Sequence, residues 1–174
     1  MVFWHPKGWS LWQQVEQYMR RRVNNDGYLE IKTPMIMDRS LWEASGHWEK
    51  FRENMFTFES DERTFALKPM NCPHHIKIYS SQQRSYRDLP VRLSEFGTVY
   101  RWEQSGELSG MIRVRSFTID DAHLFCREDQ LSDELRGCLS LVKVAFETLG
   151  LKDLRVRIGL RDPDSSKYVG EPEL

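Results

Sequence analysis

The stretch TVYRWEQSGELSGMIRVRSFTIDDAH, from Thr98 to His123, decides how the rest of the chain is interpreted. It predicts two β-strands joined by a loop. The first strand ends in VYRWE, and the connection 104–110 contains two glycines and two serines, a composition typical of a flexible loop. The second strand is predicted from Met111 to Asp121. The fold should therefore be organised around a two-stranded ribbon.

Side chains alternate between the two faces of a strand, so one face of the second strand is unusually rich in functional groups. This face carries Arg113, Arg115, Phe117, Ile119 and Asp121, with His123 added if the strand continues. The other face carries Val114, Ser116, Thr118 and Asp120. Two guanidinium groups, an aromatic ring, a carboxylate and an imidazole are unusual for a core face. They fit a face that binds a nucleotide.

Arginine presents a rigid fork of donors that matches phosphate oxygens. An aromatic ring two residues beyond Arg115 can stack on a base, while a second arginine holds the base from its other side. Arg101 and Glu103 alternate in the same way on the partner strand, which adds a cation and an acceptor for an exocyclic amine. The alternation alone fits equally well a charged strand whose arginines are simply solvated.

Residues 100–103, followed by a loop and then by Arg113, Phe117 and Asp121, resemble motif 2 of class II aminoacyl-tRNA synthetases. Longer strings are similar to the threonyl-tRNA synthetase family within that class. They are PMNCPHH (69–75), RSYRDLPVRLSEFGTVYR (84–101), QSGELSG (104–110) and DDAHLFC (120–126). The resemblance runs from about Val2 to Arg161. It implies an α+β fold, a class II synthetase-like antiparallel sheet flanked by helices and truncated before motif 3.

The resemblance implies ATP-dependent activation of threonine, followed by transfer of the threonyl group to tRNA(Thr). It assigns Arg101, as the catalytic residue, to the α-phosphate and the substrate carboxylate, and Glu103 to the adenine amine. Phe117 is expected to stack on the adenine and Arg113 to reach the distal phosphates, with Mg²⁺ accompanying the ATP. Arg115 fits a phosphate contact and a structural ion pair equally well.

A zinc ion is a further implication, because members of the family hold one with a cysteine and two histidines. Cys72 and His123 match two of these ligands, although they lie 51 residues apart and their spacing alone is unlike that of a zinc finger. The third ligand lies further along the family's sequence. We therefore expect a zinc half-site in this chain, with His74 and His75 as less suitable substitutes for the third ligand.

The resemblance also places Met70 and Asp121 beside the threonine, with Asp121 on its hydroxyl group. A pocket that senses shape alone discriminates between near-isosteres such as threonine and valine by only about a hundredfold. A metal ion with an open position can bind the amine and the hydroxyl together, and valine has no hydroxyl to offer.

Two features depart from the family pattern. Ile119 stands where many relatives carry a glutamine that hydrogen-bonds near the reacting carboxylate. The sequence also ends before motif 3, and it shows no editing or anticodon-binding domain. We therefore expect residues 1–174 to be a partial catalytic domain that is weak or inactive alone. Two alternatives stay open: a catalytically inactive paralogue that acts as an RNA-binding or regulatory module, and a plain dimerisation scaffold.

Charge, cysteine content and hydropathy bear on nucleic-acid binding, redox environment and membrane association. The 174 residues carry a formal net charge of −1, so any contact with tRNA requires a local basic patch or other parts of a protein. Three widely spaced cysteines indicate reduced thiols and a cytoplasmic location. No apolar run approaches the roughly 18 residues of a membrane span, and no signal peptide is visible.

Helices are predicted over 10–24 with Ser10 as the cap, over 39–44 with Asp38 as the cap, over 76–82, and over 128–149. The last of these should bury a stripe formed by Leu131, Leu135, Leu139, Val142, Phe146 and Leu149. Strands are predicted over 54–58 and 63–67 as a hairpin, over 91–99, and around Leu154, Val156 and Ile158.

A strand from Tyr28 to Met37 contains Pro34, which indicates an edge strand or a break in pairing. In the resemblance this region matches class II motif 1, which implies a homodimer interface at Tyr28 to Met37. The sequence alone fits an ordinary edge strand.

Overall fold

A computed structural model describes residues 2–160, which form an α+β fold. The helices are α1 (Pro6–Asn25), α2 (Arg39–Ala44), α3 (His47–Phe51), α4 (Cys72–Ser80) and α5 (Leu131–Thr148). The strands are β1 (Leu29–Glu30), β2 (Ile36–Asp38), β3 (Thr57–Ser60), β4 (Arg63–Leu67), β5 (Val91–Tyr100) and β6 (Ser116–Phe125). They form two three-stranded sheets with the orders β1-β5-β6 and β2-β4-β3. The predicted fold class is confirmed.

The long strands β5 and β6 form the predicted ribbon. They are antiparallel, and their register pairs Val91 with Phe125 at one end and Tyr100 with Ser116 at the other. Because the register is continuous between these ends, side chains of both strands alternate together between the two faces of the sheet.

The second strand of the ribbon begins five residues later than the sequence predicts. It starts at Ser116, so the expected start at Met111 is wrong. The preceding residues close a turn, in which the amides of Ile112 and Arg113 both donate to the carbonyl of Ser109, at 2.9 and 3.1 Å. A chain that turns back on itself in this way cannot extend the ladder. At its other end the strand continues to Phe125, and His123 therefore lies on it.

The segment around Pro34 is broken into two short strands that belong to different sheets. β1 pairs in parallel with β5, whereas β2 pairs antiparallel with β4. The expected break at Pro34 is confirmed, because proline cannot donate to a ladder, but a single strand from Tyr28 to Met37 is wrong. The residues between the two strands bring the amide and hydroxyl of Thr33 to the carboxylate of Glu95.

One face of the β1-β5-β6 sheet is covered by α1 and α5. Val23 of α1, Tyr28 and Phe96 of β5 form a buried cluster. Met19, Ala122, Leu124 and Leu141 pack against it. The predicted cap of α1 is wrong, because the helix begins at Pro6 and the Ser10 hydroxyl lies inside it, donating to the carbonyl of Pro6.

The apolar stripe predicted to be buried on α5 is largely exposed. Five of its members retain 48–59% of their accessible surface: Leu131, Leu135, Leu139, Val142 and Leu149. The helix instead turns Glu134, Leu141 and Ala145 toward the sheet. Glu134 accepts two hydrogen bonds from the guanidinium of Arg92, one of them at 2.6 Å, and this ion pair orients the helix.

The second sheet and the short helices form a separate cluster around Trp42, Met55 and Ala66. The predicted cap of α2 is confirmed, since Asp38 accepts a hydrogen bond from the amide of Ser40. The predicted hairpin is also confirmed, although its first strand spans Thr57–Ser60. Next, α4 starts at Cys72 with a proline in its first turn and lies against the uncovered face of the β5–β6 ribbon.

The chain has no regular secondary structure over residues 151–160, so the strand predicted around Leu154, Val156 and Ile158 is wrong. Those three side chains are exposed, and none of the described strands pairs with this segment. Among residues 2–160, no helix is both long enough and apolar enough to span a bilayer.

Candidate functional site

The face of the ribbon opposite α1 and α5 carries the predicted site residues. On β6 these are Phe117, Ile119, Asp121 and His123, and their β5 partners are Val99, Gly97, Glu95 and Leu93. The alternation predicted for this part of the strand is therefore confirmed. We call this surface the site face, and its two ends differ in chemistry.

At the turn end of the site face, Arg101 and Phe117 lie together. The guanidinium carbon of Arg101 is 5.3 Å from the centroid of the Phe117 ring, a cation–π geometry. The Nε of Arg101 donates to the carbonyl of Pro69 at 3.1 Å, which ties the arginine to the loop before α4. A cavity of about 270 Å³ opens here, and its lining includes Arg101, Glu103, Arg113 and Phe117. The four predicted ATP-binding residues therefore share one cavity.

Glu103 and Arg113 are paired with each other across this cavity. Two guanidinium nitrogens of Arg113 donate to the same carboxylate oxygen of Glu103, at 2.8 and 3.2 Å. This contact raises the pKa of Arg113 above its usual value. Glu103 is buried, whereas half of the Arg113 side chain is exposed. A ligand entering the cavity can therefore displace the arginine without opening the core.

Arg115 has a different role from the other arginines of the stretch. Its Nε donates to the backbone carbonyl of Glu103 at 3.0 Å, and its guanidinium packs 4.3 Å from the ring of Trp102. These contacts hold the chain between the two strands in place. They support a structural role for Arg115. Its partners, however, are a carbonyl and an aromatic ring and not the acid of an ion pair.

Met70 lies on the far side of Arg101. It lines a second cavity of about 270 Å³ together with Arg101, Glu103 and Arg113, so the two cavities adjoin at these charged residues. The side chain of Met70 also contacts the ring of His47. The predicted threonine contact and the predicted ATP contacts are thus neighbours.

Asp121 is held by a residue that the sequence analysis did not single out. The side-chain amide of Asn71 donates to Asp121 at 3.1 Å, while the Oδ1 atom of Asn71 is buried and has no hydrogen-bond partner among the described residues. Gly97 makes room for this amide, because a Cβ at that position would lie 2.6 Å from Asn71 Oδ1. A glycine within a strand signals such a close approach, and this signal could have located the contact.

Beneath Asp121 lies a buried polar cluster around Glu95, which the sequence analysis also missed. The Glu95 carboxylate accepts hydrogen bonds from the Thr33 amide and hydroxyl, the Lys68 ammonium and the His75 ring, all between 2.8 and 3.2 Å. Burial raises the pKa of Glu95, but these donors outweigh it and bring the pKa to about 2. Glu95 and His75 are fully buried and Lys68 is 1% exposed. The sequence did contain a signal for this cluster. Alternation along the strand places Glu95 on the same face as the buried Leu93 and Val99.

The two predicted zinc ligands lie at this end of the site face. Cys72 is the first residue of α4, and burial, with the charge of Asp121, raises the pKa of its thiol. His123 Nδ1 lies 2.9 Å from Nδ1 of His75, and burial lowers the pKa of His123. Sulfur and imidazole nitrogen are donors that suit zinc. Within residues 2–160, however, no three histidine, cysteine or acidic side chains group as a metal site.

Neither neighbouring histidine is suited to complete that site. Both ring nitrogens of His75 are occupied, one by Glu95 and the other by His123. His74 packs against Trp42 with ring centroids 5.5 Å apart, and both of its nitrogens are buried without a partner among the described residues. The third zinc ligand therefore stays a prediction, and neither His74 nor His75 supplies it.

The chain is similar to a known family and to known proteins. The model of the tRNA synthetase class II core domain (G, H, P, S and T) matches residues 56–169. Threonine–tRNA ligases of Paraburkholderia phytofirmans and Burkholderia orbicola are 59% and 60% identical to this chain, each over 98% of it. The chain spans 27% of the length of these relatives.

Solved structures share the fold. The RNA binding domain of threonyl-tRNA synthetase from Cryptosporidium parvum superposes with a TM-score of 0.82 at 40% identity, over 85% of this chain and 37% of that one. Prolyl-tRNA synthetase of Giardia lamblia, in complex with prolyl-adenylate, superposes with a TM-score of 0.77 at 22% identity, over 85% of this chain and 31% of that one. The second likeness concerns the fold alone. With a matching family model over most of its length and this ribbon at its centre, the chain belongs to the family of class II tRNA synthetase core domains.

Proposed function

We propose that this chain supplies the ATP-binding and threonine-binding ribbon of a threonine–tRNA ligase. The observation that carries the proposal is the shared site face, on which Arg101, Glu103, Arg113 and Phe117 line one cavity and Asp121 follows Phe117 on the same strand. The names of the relatives support threonine as the amino acid, since those proteins are threonine–tRNA ligases.

The proposed reaction has two steps. A carboxylate oxygen of threonine attacks the α-phosphorus of ATP, the bond to the β-phosphate oxygen breaks, and threonyl-adenylate and pyrophosphate form. A terminal hydroxyl of tRNA(Thr) then attacks the threonyl carbonyl and releases AMP. In such chemistry the protein mainly positions the reactants and offsets developing charge. Arg101 is the residue we assign to both the α-phosphate and the threonine carboxylate.

ATP binding at the turn end of the site face is proposed to proceed by exchange of partners. Phe117 offers a ring face for the adenine, with Arg101 already on the ring. Glu103 then accepts a hydrogen bond from the adenine amine. Arg113 leaves Glu103 and binds the distal phosphates with their Mg²⁺. The exchange keeps the guanidinium paired, because the phosphates replace the carboxylate as its partner.

At the other end of the site face, Asp121 accepts a hydrogen bond from the threonine hydroxyl while Asn71 keeps its carboxylate oriented. Met70 borders the amino acid on the side of Arg101. Cys72 and His123 are the residues that would hold zinc here. A bound zinc ion supplies a Lewis-acidic position for the threonine amine and hydroxyl, a pairing that valine lacks.

The remaining partners are also part of the proposal. Exposed Leu29, Met35 and Ile36 support a homodimer through the region Tyr28 to Met37, because an edge with apolar side chains suits a protein interface. The thiols of Cys72, Cys126 and Cys138 are all free, which supports a reducing, cytoplasmic setting.

Isothermal titration calorimetry with a threonyl-adenylate analogue, in which a sulfamoyl group replaces the phosphate, tests the proposal on this chain. Arg101→Ala should weaken binding by about tenfold to a hundredfold, since a hydrogen bond to a charged group contributes about 1.5–3 kcal/mol. Arg84→Ala is a matched control. Arg84 also lies over an aromatic ring, at 5.1 Å, and also donates to a carbonyl, but it lines neither site cavity.

Equal losses in both variants would contradict the assignment of Arg101. Binding of tRNA without any binding of ATP or the analogue would favour the RNA-binding, catalytically inactive paralogue instead. Assembly unchanged in Arg101→Ala, together with lost analogue binding, would rule out a plain dimerisation scaffold.

A further inference from the structure

Three side chains form a continuous hydrogen-bonded chain from the buried core to the predicted zinc ligand His123. Glu95 Oε2 lies 3.2 Å from Nε2 of His75, and Nδ1 of His75 lies 2.9 Å from Nδ1 of His123. The two imidazole rings are nearly perpendicular, with centroids 4.6 Å apart. Since each contact needs one donor and one acceptor, the protonation of one end constrains the other.

Glu95 determines which atom donates in each of these hydrogen bonds, because its ionised carboxylate has no proton to donate. It is surrounded by donors from Thr33, Lys68 and His75, and these hold its pKa at about 2. An ionised carboxylate only accepts hydrogen bonds. The proton in the contact with His75 must therefore lie on Nε2 of His75.

The remaining nitrogen of His75 is a lone-pair acceptor as long as the ring is neutral. Lys68 already contributes a buried ammonium 3.1 Å from the Glu95 carboxylate, and the two charges balance. The exposed ammonium of Lys32 lies 3.9 Å from the same carboxylate, so a protonated His75, itself fully buried, would add a third cation. An unbalanced buried charge is costly. Asp121 is the other acid near this group, but it is hydrogen-bonded to Asn71 rather than to His75.

With a lone pair on Nδ1 of His75, the 2.9 Å contact requires that His123 donate from its own Nδ1. The neutral His123 ring then carries its free lone pair on Nε2. We propose that His75 is a positioning residue that, through Glu95, sets the tautomer of His123 with Nε2 unprotonated and ready to bind a metal ion. The tautomer follows from the described contacts, whereas the role of Nε2 in holding zinc rests on the proposed function.

The placement of His75 on α4 fits this role. Cys72 and His75 are three residues apart, so they lie on neighbouring positions of one helix face. One helix would thus supply one predicted zinc ligand directly and orient the other through a hydrogen bond. Histidines that bind zinc usually donate their second ring nitrogen to a carboxylate, a carbonyl or water. Here a second histidine stands between the ligand and the carboxylate.

The tautomers can be measured by long-range ¹H–¹⁵N correlation spectra of the metal-free, ¹⁵N-labelled chain. We expect His75 to show a protonated Nε2 with an unprotonated Nδ1, and His123 to show a protonated Nδ1 with an unprotonated Nε2. Addition of Zn²⁺ should then shift Nε2 of His123 and leave its Nδ1 protonated. The opposite tautomer of His123 in the metal-free wild type would overturn the inference. This measurement needs no variant.

Variants at position 75 separate positioning from packing. His75→Leu removes both contacts and should leave His123 as a mixture of tautomers, with Zn²⁺ affinity reduced by about 10-fold to 100-fold. His75→Gln should restore the single tautomer and most of the affinity, because the glutamine can donate to Glu95 through Nε2 and accept from His123 through Oε1. His74→Leu is the matched control, since His74 is also buried but neither of its ring nitrogens has a hydrogen-bond partner among the described residues.

The outcomes distinguish this inference from the proposed function. A single His123 tautomer that survives in His75→Leu as well as in the wild type would overturn the inference. The expected tautomers with no effect of Zn²⁺ on any ring nitrogen would support the hydrogen-bonded chain and contradict the zinc site of the proposed function. Loss of the folded spectrum in His75→Leu would leave the His75→Gln and wild-type measurements to decide.

Discussion

The two ends of the site face carry similar numbers of charged groups but handle them in different ways. At the turn end, Arg113 and Glu103 pair with each other, and the arginine is 54% exposed. At the other end, Glu95 and Lys68 form an ion pair that is almost completely buried, with Thr33 and His75 as further donors. The first pair can exchange its partner for a ligand, whereas the second is part of the core.

This difference follows from what surrounds each pair. The Arg113–Glu103 pair is partly screened by water, and breaking it costs less than breaking a fully buried pair because the freed Arg113 guanidinium can be solvated, although Glu103 is buried. A buried pair has no such alternative, so its members must stay together. The structure therefore combines an adaptable end, suited to phosphates that arrive and leave, with a rigid end that keeps Asp121 and His123 in place.

Removal of one member of the buried pair should have the largest effect on stability. Glu95→Leu leaves the Lys68 ammonium buried without an acid, and we expect a loss of about 3–5 kcal/mol in the free energy of unfolding. Urea titration followed by circular dichroism measures it. The double variant Glu95→Leu with Lys68→Met should recover much of the loss. If the single variant were as stable as the wild type, the two ends would not differ in rigidity.

Lowering the pH should have the next-largest effect on stability, again through Glu95. The pKa of Glu95 is about 2 in the folded state against an ordinary 4.5, so its ionised form stabilises the fold above pH 4.5. This contribution, roughly 3 kcal/mol at about 1.4 kcal/mol per pKa unit, is lost as the pH falls from about 4.5 to 2. Thermal unfolding across this interval measures the loss. Glu95→Gln should flatten this limb of the profile, and an unchanged slope would contradict the assignment to Glu95.

A smaller change, Gly97→Ala, tests how closely the rigid end is packed. The added methyl group would meet the Asn71 amide at 2.6–2.7 Å, and overpacking of this kind costs about 1–3 kcal/mol. The displaced Asn71 should also release Asp121 and so weaken the binding of threonine more than that of ATP. Gly137→Ala is the control, because the helical Gly137 has open space around it and should gain about 0.5–1 kcal/mol.

The adaptable end should respond least in stability. Arg113→Met leaves the buried Glu103 without its partner, but half of the Arg113 side chain is exposed, so we expect a smaller fall in the unfolding midpoint in urea than for Glu95→Leu. We expect ATP binding, measured by calorimetry, to weaken because a guanidinium for the distal phosphates is lost. A variant as destabilised as Glu95→Leu would show that this pair, too, is part of the core.

Much of the ribbon was predictable because its determinants are local. Alternation along residues 116–123 places Phe117, Asp121 and His123 on one face whatever the rest of the chain does. The cap at Asp38 and the interruption at Pro34 depend on neighbouring backbone groups alone. The start of the second strand was missed because alternation cannot distinguish a strand from a turn whose amides converge on one carbonyl, as they do on Ser109.

The α5 helix shows where a periodic pattern is insufficient. Its leucines recur at helical spacing, but the side that packs on the sheet is the one carrying Glu134, which pairs with Arg92 far away in sequence. Hydrophobic periodicity reports which face could be buried, and not which surface is present to bury it.

The amino-acid sequence by itself determined the ribbon, its facing arginines and ring, and the family resemblance, because each depends on residues near one another in the chain. Only the tertiary structure decided that Lys68, His75 and Glu95 meet in one buried cluster, that Gly97 makes room for Asn71, and that His123 faces a histidine. Those contacts join residues that lie 20 or more positions apart. Their energies depend on burial, which no local pattern specifies.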